Sequence, residues 1–143
     1  MSLETRVSIS EAEKLVKEAF LRNGVKEAVA ESVSNALVAA EAEGQVGHGF
    51  SRVKDYLAQV KSKKINVDAK IKIERPKPTS ISIDADYGFA YPALDQAITE
   101  GALTAKEYGS AIVSIFNSHH CGALSVQVEK IAKQGLMIGR AHV

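Results

Sequence analysis

Two stretches hold the side chains that could move a proton or grip a small acid. In VGHGFSRVKDY, residues 46–56, His48 offers an imidazole whose ordinary pKa of ~6.5 lets it give up and recover a proton near neutrality. Arg52, four residues on, offers a planar guanidinium fork that matches a carboxylate. If helix begins near His48, then His48, Arg52 and Tyr56 follow at i, i+4 and i+8, each step turning by ~40°. Phe50, Val53, Leu57 and Val60 then occupy another face, about 120° away, which is expected to pack on the core. Gly47 and Gly49 remove side chains on both sides of the imidazole and let a ligand or backbone approach. Such a pair suits a substrate with a carboxylate beside a carbonyl or imine, Arg52 anchoring it and His48 protonating the heteroatom. The plainer alternative is a helix N-terminus with a solvent-exposed histidine and a surface arginine, and spacing alone favours it, because short motifs match by chance.

The second stretch, IFNSHHCGAL, residues 115–124, has the only cysteine of the chain. It follows a strand pattern and precedes a helix pattern, at the carboxyl end of an expected parallel strand, where ligands of open α/β sheets gather. Asn117, Ser118, His119 and His120 are too polar for core packing to explain. Zinc is disfavoured, because neighbouring His119 and His120 rarely aim at one point and Cys121 lacks the other half of a C-x-x-C pair. A redox role for Cys121 fails for the same reason. Ser118 could pair with a histidine as a nucleophile, but no G-x-S-x-G turn surrounds it. The bland reading is a capped helix start using Asn117 or Ser118. The preferred one has a histidine facing the ligand while Ser118 or Asn117 shapes the turn. Neither a G-x-G-x-x-G nor a Walker pattern is present.

The elements that must position these residues can be read from periodicity. Ser10 and Glu13 form an expected capping box for a first helix whose stripe is Leu15, Ala19 and Phe20, stopped by Gly24. A second helix is expected over roughly 26–43 and a third over roughly 51–62. Ile71, Ile73, Ile81 and Ile83 alternate on either side of RPKP, which predicts strand, Pro-containing turn and strand. A helix started by Pro92 and ended by Gly109, a buried strand SAIVSIF, a helix over ALSVQVEKIAKQG and a last strand beginning at LMIG complete a βαβαβ order with parallel pairing. The fold class expected is α/β. A helical segment over 1–67 carries the first histidine motif, and 68–143 begins a mixed or parallel sheet domain. The last strand barely starts, so the chain is expected to be unfinished, its sheet completed by another subunit or by the rest of a longer protein.

With 143 residues, net charge +1, 45% hydrophobic and 24% charged residues, the composition is globular, and the near-neutral charge argues against nucleic acid. No apolar run approaches the ~18 residues of a membrane span, MSLETRVSIS lacks the core of a signal peptide, and one cysteine suits a reducing compartment. A soluble, cytoplasmic protein is expected.

In order and spacing, GHGFSRVKDY, SIDADYGFAYPALDQAI, NSHHCGA and KQGLMIG resemble the type-two malate/L-lactate dehydrogenase family. That family includes ureidoglycolate and sulfolactate dehydrogenases and diketogulonate and piperideine-2-carboxylate reductases. The likeness runs from the first helix to Gly139. It implies a dimeric NAD- or NADP-dependent oxidoreductase of 2-hydroxy acids, 2-oxo acids or related imines, with a non-Rossmann cofactor fold. It further implies that His48, in the H-G-x-x-R motif, is the proton donor and acceptor and that Arg52 binds the substrate carboxylate. His120 matches the histidine of the S-n-H-x-G motif, which makes His119 the variable neighbour; beside it, Ser118 and His119 are expected to line the substrate side, and no metal is expected. Two residues depart from the pattern: Gly47 stands where many members have serine, and Ala90 where a glycine is common. Relatives are more than twice as long, and their Gly- and Asn-rich cofactor loops and a further catalytic acid would lie beyond residue 143. A non-catalytic fragment or binding module that needs a partner to complete its sheet is the competing expectation.

Overall fold

A computed structural model describes residues 6–139. Helix α1 (Ile9–Leu21) and helix α2 (Glu27–Ala42) form a hairpin through a turn in which Gly24 has φ +82°. The capping box of α1 uses Ser8 and Glu11, not Ser10 and Glu13. Both serines are followed at the third place by a glutamate, and the earlier start gains a further backbone bond, from the Ala12 N–H to the Ser8 carbonyl at 3.0 Å. The buried stripe is Ala12, Val16 and Phe20, while Leu15 is 60% exposed. Helix α2 is the central post, with Ala30, Val33, Leu37, Val38 and Ala40 buried. Its small residues let α1, α4 and α5 all approach it.

Helix α3 (Ser51–Lys61) starts later than His48, which sits in the turn before it. This changes the expected faces. Tyr56 is buried together with Val60, whereas Phe50 remains 39% exposed.

The sheet has the order β1 (Lys72–Lys77), β2 (Ser80–Asp84), β3 (Ile112–Phe116), with β1–β2 antiparallel and β2–β3 parallel. The hairpin turn is tighter than expected, because Arg75, Pro76 and Lys77 belong to β1 and the register slips between Glu74 and Lys77. An edge strand tolerates such a proline, since its missing N–H removes no interior ladder bond. Only β2, the middle strand, buries its inward residues, Ile81 and Ile83. The expectation of a buried third strand is therefore corrected: β3 is an edge, and Ile112 is 73% exposed. Helix α4 (Ala90–Tyr108) covers one face of the sheet through Ala93 and Ala97 against Ile81, Ile83, Val113 and Ile115, and Gly109 ends it at φ +85°. Helix α5 (Leu124–Ala132) follows β3. Residues 136–139 form no strand, and Met137 is fully exposed. A strand needs a ladder partner, and none is paired with this segment among the described residues, which therefore contain one βαβ unit, β2–α4–β3.

The larger core joins α1, α2 and α3 to the start of α4. Phe89 meets Phe20 edge-on at 5.7 Å, and Tyr91 is buried beneath the two histidine loops. The helix that covers the sheet thus begins inside the helical layer, which brings the end of β3 close to α3.

Candidate functional site

The His48 turn is built on the end of α2. The Phe50 N–H donates to the Glu41 carboxylate at 2.8 Å, which caps the start of α3 from another helix. A Cβ on Gly49 would lie 2.9 Å from Glu41 Cβ and 3.0 Å from its Cα. Gly49 therefore serves this packing and does not open space beside the imidazole. Gly47 does face open space. The His48 N–H closes the turn on the Gln45 carbonyl at 2.8 Å.

The His120 loop is built on the ends of two strands. Asn117 adopts φ +49°, its amide donating to Asp84 Oδ1 at 3.0 Å and its carbonyl accepting the Tyr87 N–H at 2.7 Å. The Asp86 N–H and the Asn117 amide hold the Asp84 carboxyl below its usual range. Asn117 thus has the turn-shaping part. Ser118 is exposed, and its hydroxyl donates back to the His119 carbonyl at 3.3 Å. His119 buries its Nε2, with no hydrogen-bond partner among the described residues.

The next residue meets α3. His120 Nδ1 lies 2.8 Å from the Tyr56 hydroxyl, which lies 2.9 Å from the Tyr91 hydroxyl. The Gly122 N–H also donates to Nδ1, at 3.3 Å. The rings of His120 and His48 stack with centroids 5.6 Å apart and planes 18° apart. Arg52 borders this pair. Its Nε donates to the Gly47 carbonyl at 2.6 Å and its Nη1 lies 3.4 Å from Asp55, while Nη2 has no partner among the described residues. His120 is exposed as a residue, but partial burial of its ring against Tyr56 lowers its pKa, and the charges of Arg52 and His48 add to the shift. Burial raises the pKa of both Tyr56 and Tyr91, so both phenols stay protonated through the physiological range.

A polar clasp ties the two loops together. Ser125, in the first turn of α5, donates to Glu43 at 2.7 Å and accepts from Gln45 at 2.7 Å. Gln45 immediately precedes the His48 turn, and Ser125 lies just past the His120 loop. Motif reading placed Tyr56 on the histidine flank but missed Tyr91, Gly122, Glu41 and Ser125. Tyr91 and Tyr56 are 35 residues apart, and no local spacing signals such a contact. The glycine of SHHCG was the available hint, since glycine is used where a backbone must come close to another group.

In chemical terms, the set offers two imidazoles able to donate or accept, a cation for an anionic group, and protonated phenols behind one imidazole. Among the described residues there is no group of three metal ligands. Nor do the described residues form a glycine-lined cradle for a pyrophosphate: their glycines with positive φ, at 24, 44, 109, 122 and 135, stand singly. A surface groove lined by Arg75, Lys77, Leu103 and Tyr108 lies at the other end of the sheet and shares no residue with this site.

Known proteins are similar to this chain over most of its length. The sequence profile of the family described as "Malate/L-lactate dehydrogenase" matches residues 7–140. The (2R)-3-sulfolactate dehydrogenase (NADP(+)) of Chromohalobacter salexigens is 37% identical over 92% of this chain and 39% of its own length. The Delta(1)-pyrroline-2-carboxylate/Delta(1)-piperideine-2-carboxylate reductase of Pseudomonas putida is 32% identical over 95% of this chain and 40% of its own. Among solved structures, delta1-piperideine-2-carboxylate reductase from Pseudomonas syringae superposes with a TM-score of 0.88 at 31% identity, covering 92% of this chain and 40% of that one. Malate dehydrogenase from Pyrococcus horikoshii gives 0.86 at 28% identity, over 92% and 38%. The chain thus spans about 40% of the length of the curated relatives it matches. With the motifs, the fold and the profile in agreement over nearly every residue, the chain belongs to the malate/L-lactate dehydrogenase family.

Proposed function

We propose that this chain is the substrate-side portion of an NAD- or NADP-dependent oxidoreductase that interconverts a 2-hydroxy acid and a 2-oxo acid, or reduces a related cyclic imino acid. The observation that carries the reading is the stacking of His48 on His120 at 5.6 Å beside the Arg52 guanidinium. Sulfolactate and pyrroline-2-carboxylate, named in the relatives, share one feature: a carboxylate next to the carbon that changes oxidation state.

The proposed roles rest on the following contacts. Arg52 binds the carboxylate through its Nη edge, which matches two carboxylate oxygens. Its Nε bond to the Gly47 carbonyl fixes that edge relative to the neighbouring His48. His48 gives a proton to the C2 heteroatom during reduction and takes it back during oxidation. His120, held neutral, hydrogen-bonds the same end of the substrate. Ser118, whose hydroxyl holds only a long bond to a neighbouring carbonyl, can turn towards the substrate. His119, with its Nε2 turned inward, is left out of the set.

When bound, the reduced nicotinamide supplies the hydride. The described residues do not form its cradle; the cofactor is proposed from family membership. NADP(+) and NAD(+) are both named among the relatives. We further assign 1–67 as the helical segment carrying the histidine–arginine motif, 68–143 as the start of the cofactor-binding domain, and a cytoplasmic homodimer as the working assembly. Its partner is a small carboxylate rather than nucleic acid or membrane. No helix among the described residues is long and apolar enough to cross a membrane.

The test is a protein carrying this chain at the full length of its relatives, given reduced nicotinamide and a panel of 2-oxo acids and cyclic imino acids. Consumption of the cofactor with at least one of them, and an Arg52→Met variant that raises KM for it, is the expected result. Turnover only with substrates lacking the carboxylate would overturn the proposal.

A further inference from the structure

We infer that Tyr91, acting through Tyr56 and together with the Gly122 N–H, selects the tautomer of His120 in which Nδ1 is bare and Nε2 carries the proton, making His120 a fixed hydrogen-bond donor and leaving proton cycling to His48. The argument starts from a group with no choice. A backbone N–H can only donate, and the Gly122 N–H points at Nδ1 from 3.3 Å. Gly122 is buried, so an Nδ1 that bore a proton would leave this N–H facing another donor with no water to take its place. With Nδ1 bare, the Tyr56 hydroxyl at 2.8 Å donates to it, and the Tyr91 hydroxyl at 2.9 Å donates to Tyr56. Every hydroxyl proton then has an acceptor, and the chain of bonds runs in one direction, from the core outward.

The opposite direction fails at both ends. Nδ1–H donating to Tyr56 would turn the Tyr56 proton onto Tyr91 and strand the Gly122 N–H. Protonating both nitrogens is disfavoured by the same N–H and by Arg52 and His48, which lie beside the ring. The remaining nitrogen, Nε2, has no hydrogen-bond partner among the described residues, and the residue as a whole is exposed. It is therefore the edge offered to a ligand. His48 has no such anchor on its ring: its described contact is the stack on His120.

Glycine is required at 122 by the same arrangement. Its φ is +66°, and a Cβ there would come 3.1 Å from Cε1 and Cζ of Tyr91 and closer still to the hydroxyl oxygen. Tyr56 and Tyr91 are thus positioning residues, reaching substrate chemistry only through the imidazole. Their role deepens the proposed function and rests on it for its catalytic meaning, but the tautomer itself does not.

The experiment is nitrogen NMR on the chain with 15N-labelled histidine, which needs neither cofactor nor substrate, so the result stands apart from whether the protein is a reductase. The expected spectrum has His120 wholly in the Nε2–H form, with Nδ1 shifted as a hydrogen-bond acceptor. Tyr56→Phe should move His120 towards the mixed tautomers of free histidine, and Tyr91→Phe should move it the same way by a smaller amount. A protonated Nδ1 in the parent chain overturns the inference without any variant. So does an unchanged His120 spectrum in a Tyr56→Phe protein that keeps the parent's melting profile.

Discussion

Replacing Gly122 by alanine strains the site in two separable ways. At φ +66°, alanine in the left-handed region costs about 1–2 kcal/mol. The new methyl would also meet a ring that cannot retreat: Tyr91 is 2% exposed and hydrogen-bonded to Tyr56. Forcing a methyl into such a place costs about 1–3 kcal/mol. The sum, about 3 kcal/mol, is a large part of the ~5–15 kcal/mol that holds a domain folded, and corresponds to a melting temperature lower by about 10 °C. The closest obstruction is the Tyr91 hydroxyl, with ring carbons at 3.1 Å behind it. Tyr91→Phe removes that oxygen at a cost of about 1 kcal/mol for the lost bond. Glycine-to-alanine should then hurt less in the phenylalanine background, by about 1 kcal/mol. Urea titrations of the parent, both single variants and the double variant measure this coupling. Costs that add within ~0.5 kcal/mol would show that the methyl never meets the hydroxyl, and the packing described here would be wrong.

Two further outcomes follow from the same contacts. His120 has its pKa lowered in the fold, chiefly by partial burial of its ring, and regains its ordinary ~6.5 when unfolded. The unfolded chain therefore binds the proton first, and stability present above ~6.5 is lost as pH falls through the folded value. Chemical denaturation at several pH values should show this acid loss in the parent and a shallower slope in His120→Gln; equal slopes would remove His120 as its source. Ser125→Ala cuts the clasp to Glu43 and Gln45, which is exposed and costs about 0.5–1 kcal/mol. Its sharper effect should be faster hydrogen exchange at the His48 N–H, which bonds Gln45, with the amides of α2 unchanged. Unaltered exchange at His48 would show that the clasp does not hold the loop.

What could be read in advance divides by the range of the interaction. Helix positions were legible because caps and 3.6-residue periodicity act within one or two turns, and Gly24 and Gly109 end α1 and α4 as glycine should. The start of α1 was misjudged by two residues because two Ser-x-x-Glu boxes overlap and only the helix's extra backbone bond chooses between them. The third strand looked buried because IVSIF is apolar, but burial belongs to the sheet's neighbours and not to the strand. LMIG has the composition of a strand without a ladder beside it. Resemblance singled out His48, Arg52 and His120, and the structure brings them together. The glycine at 49 was read locally, as space for a ligand, when its neighbour is Glu41 from the preceding helix. Tyr91 was invisible for the same reason: its partner comes from a helix far along the chain, and only the folded arrangement of α3, α4 and the β3 tip joins them.

The central claim is that His48 is the proton donor and acceptor of a site completed by Arg52 and His120. The most direct measurement is kcat/KM of a full-length protein carrying this chain, with His48 intact and as His48→Gln, using whichever 2-oxo acid or cyclic imine it turns over. Loss of a positioned acid–base group should lower the rate by about 100- to 10,000-fold while the affinity for an unreactive substrate analogue stays within a few fold. A variant that turns over at the parent rate would contradict the account.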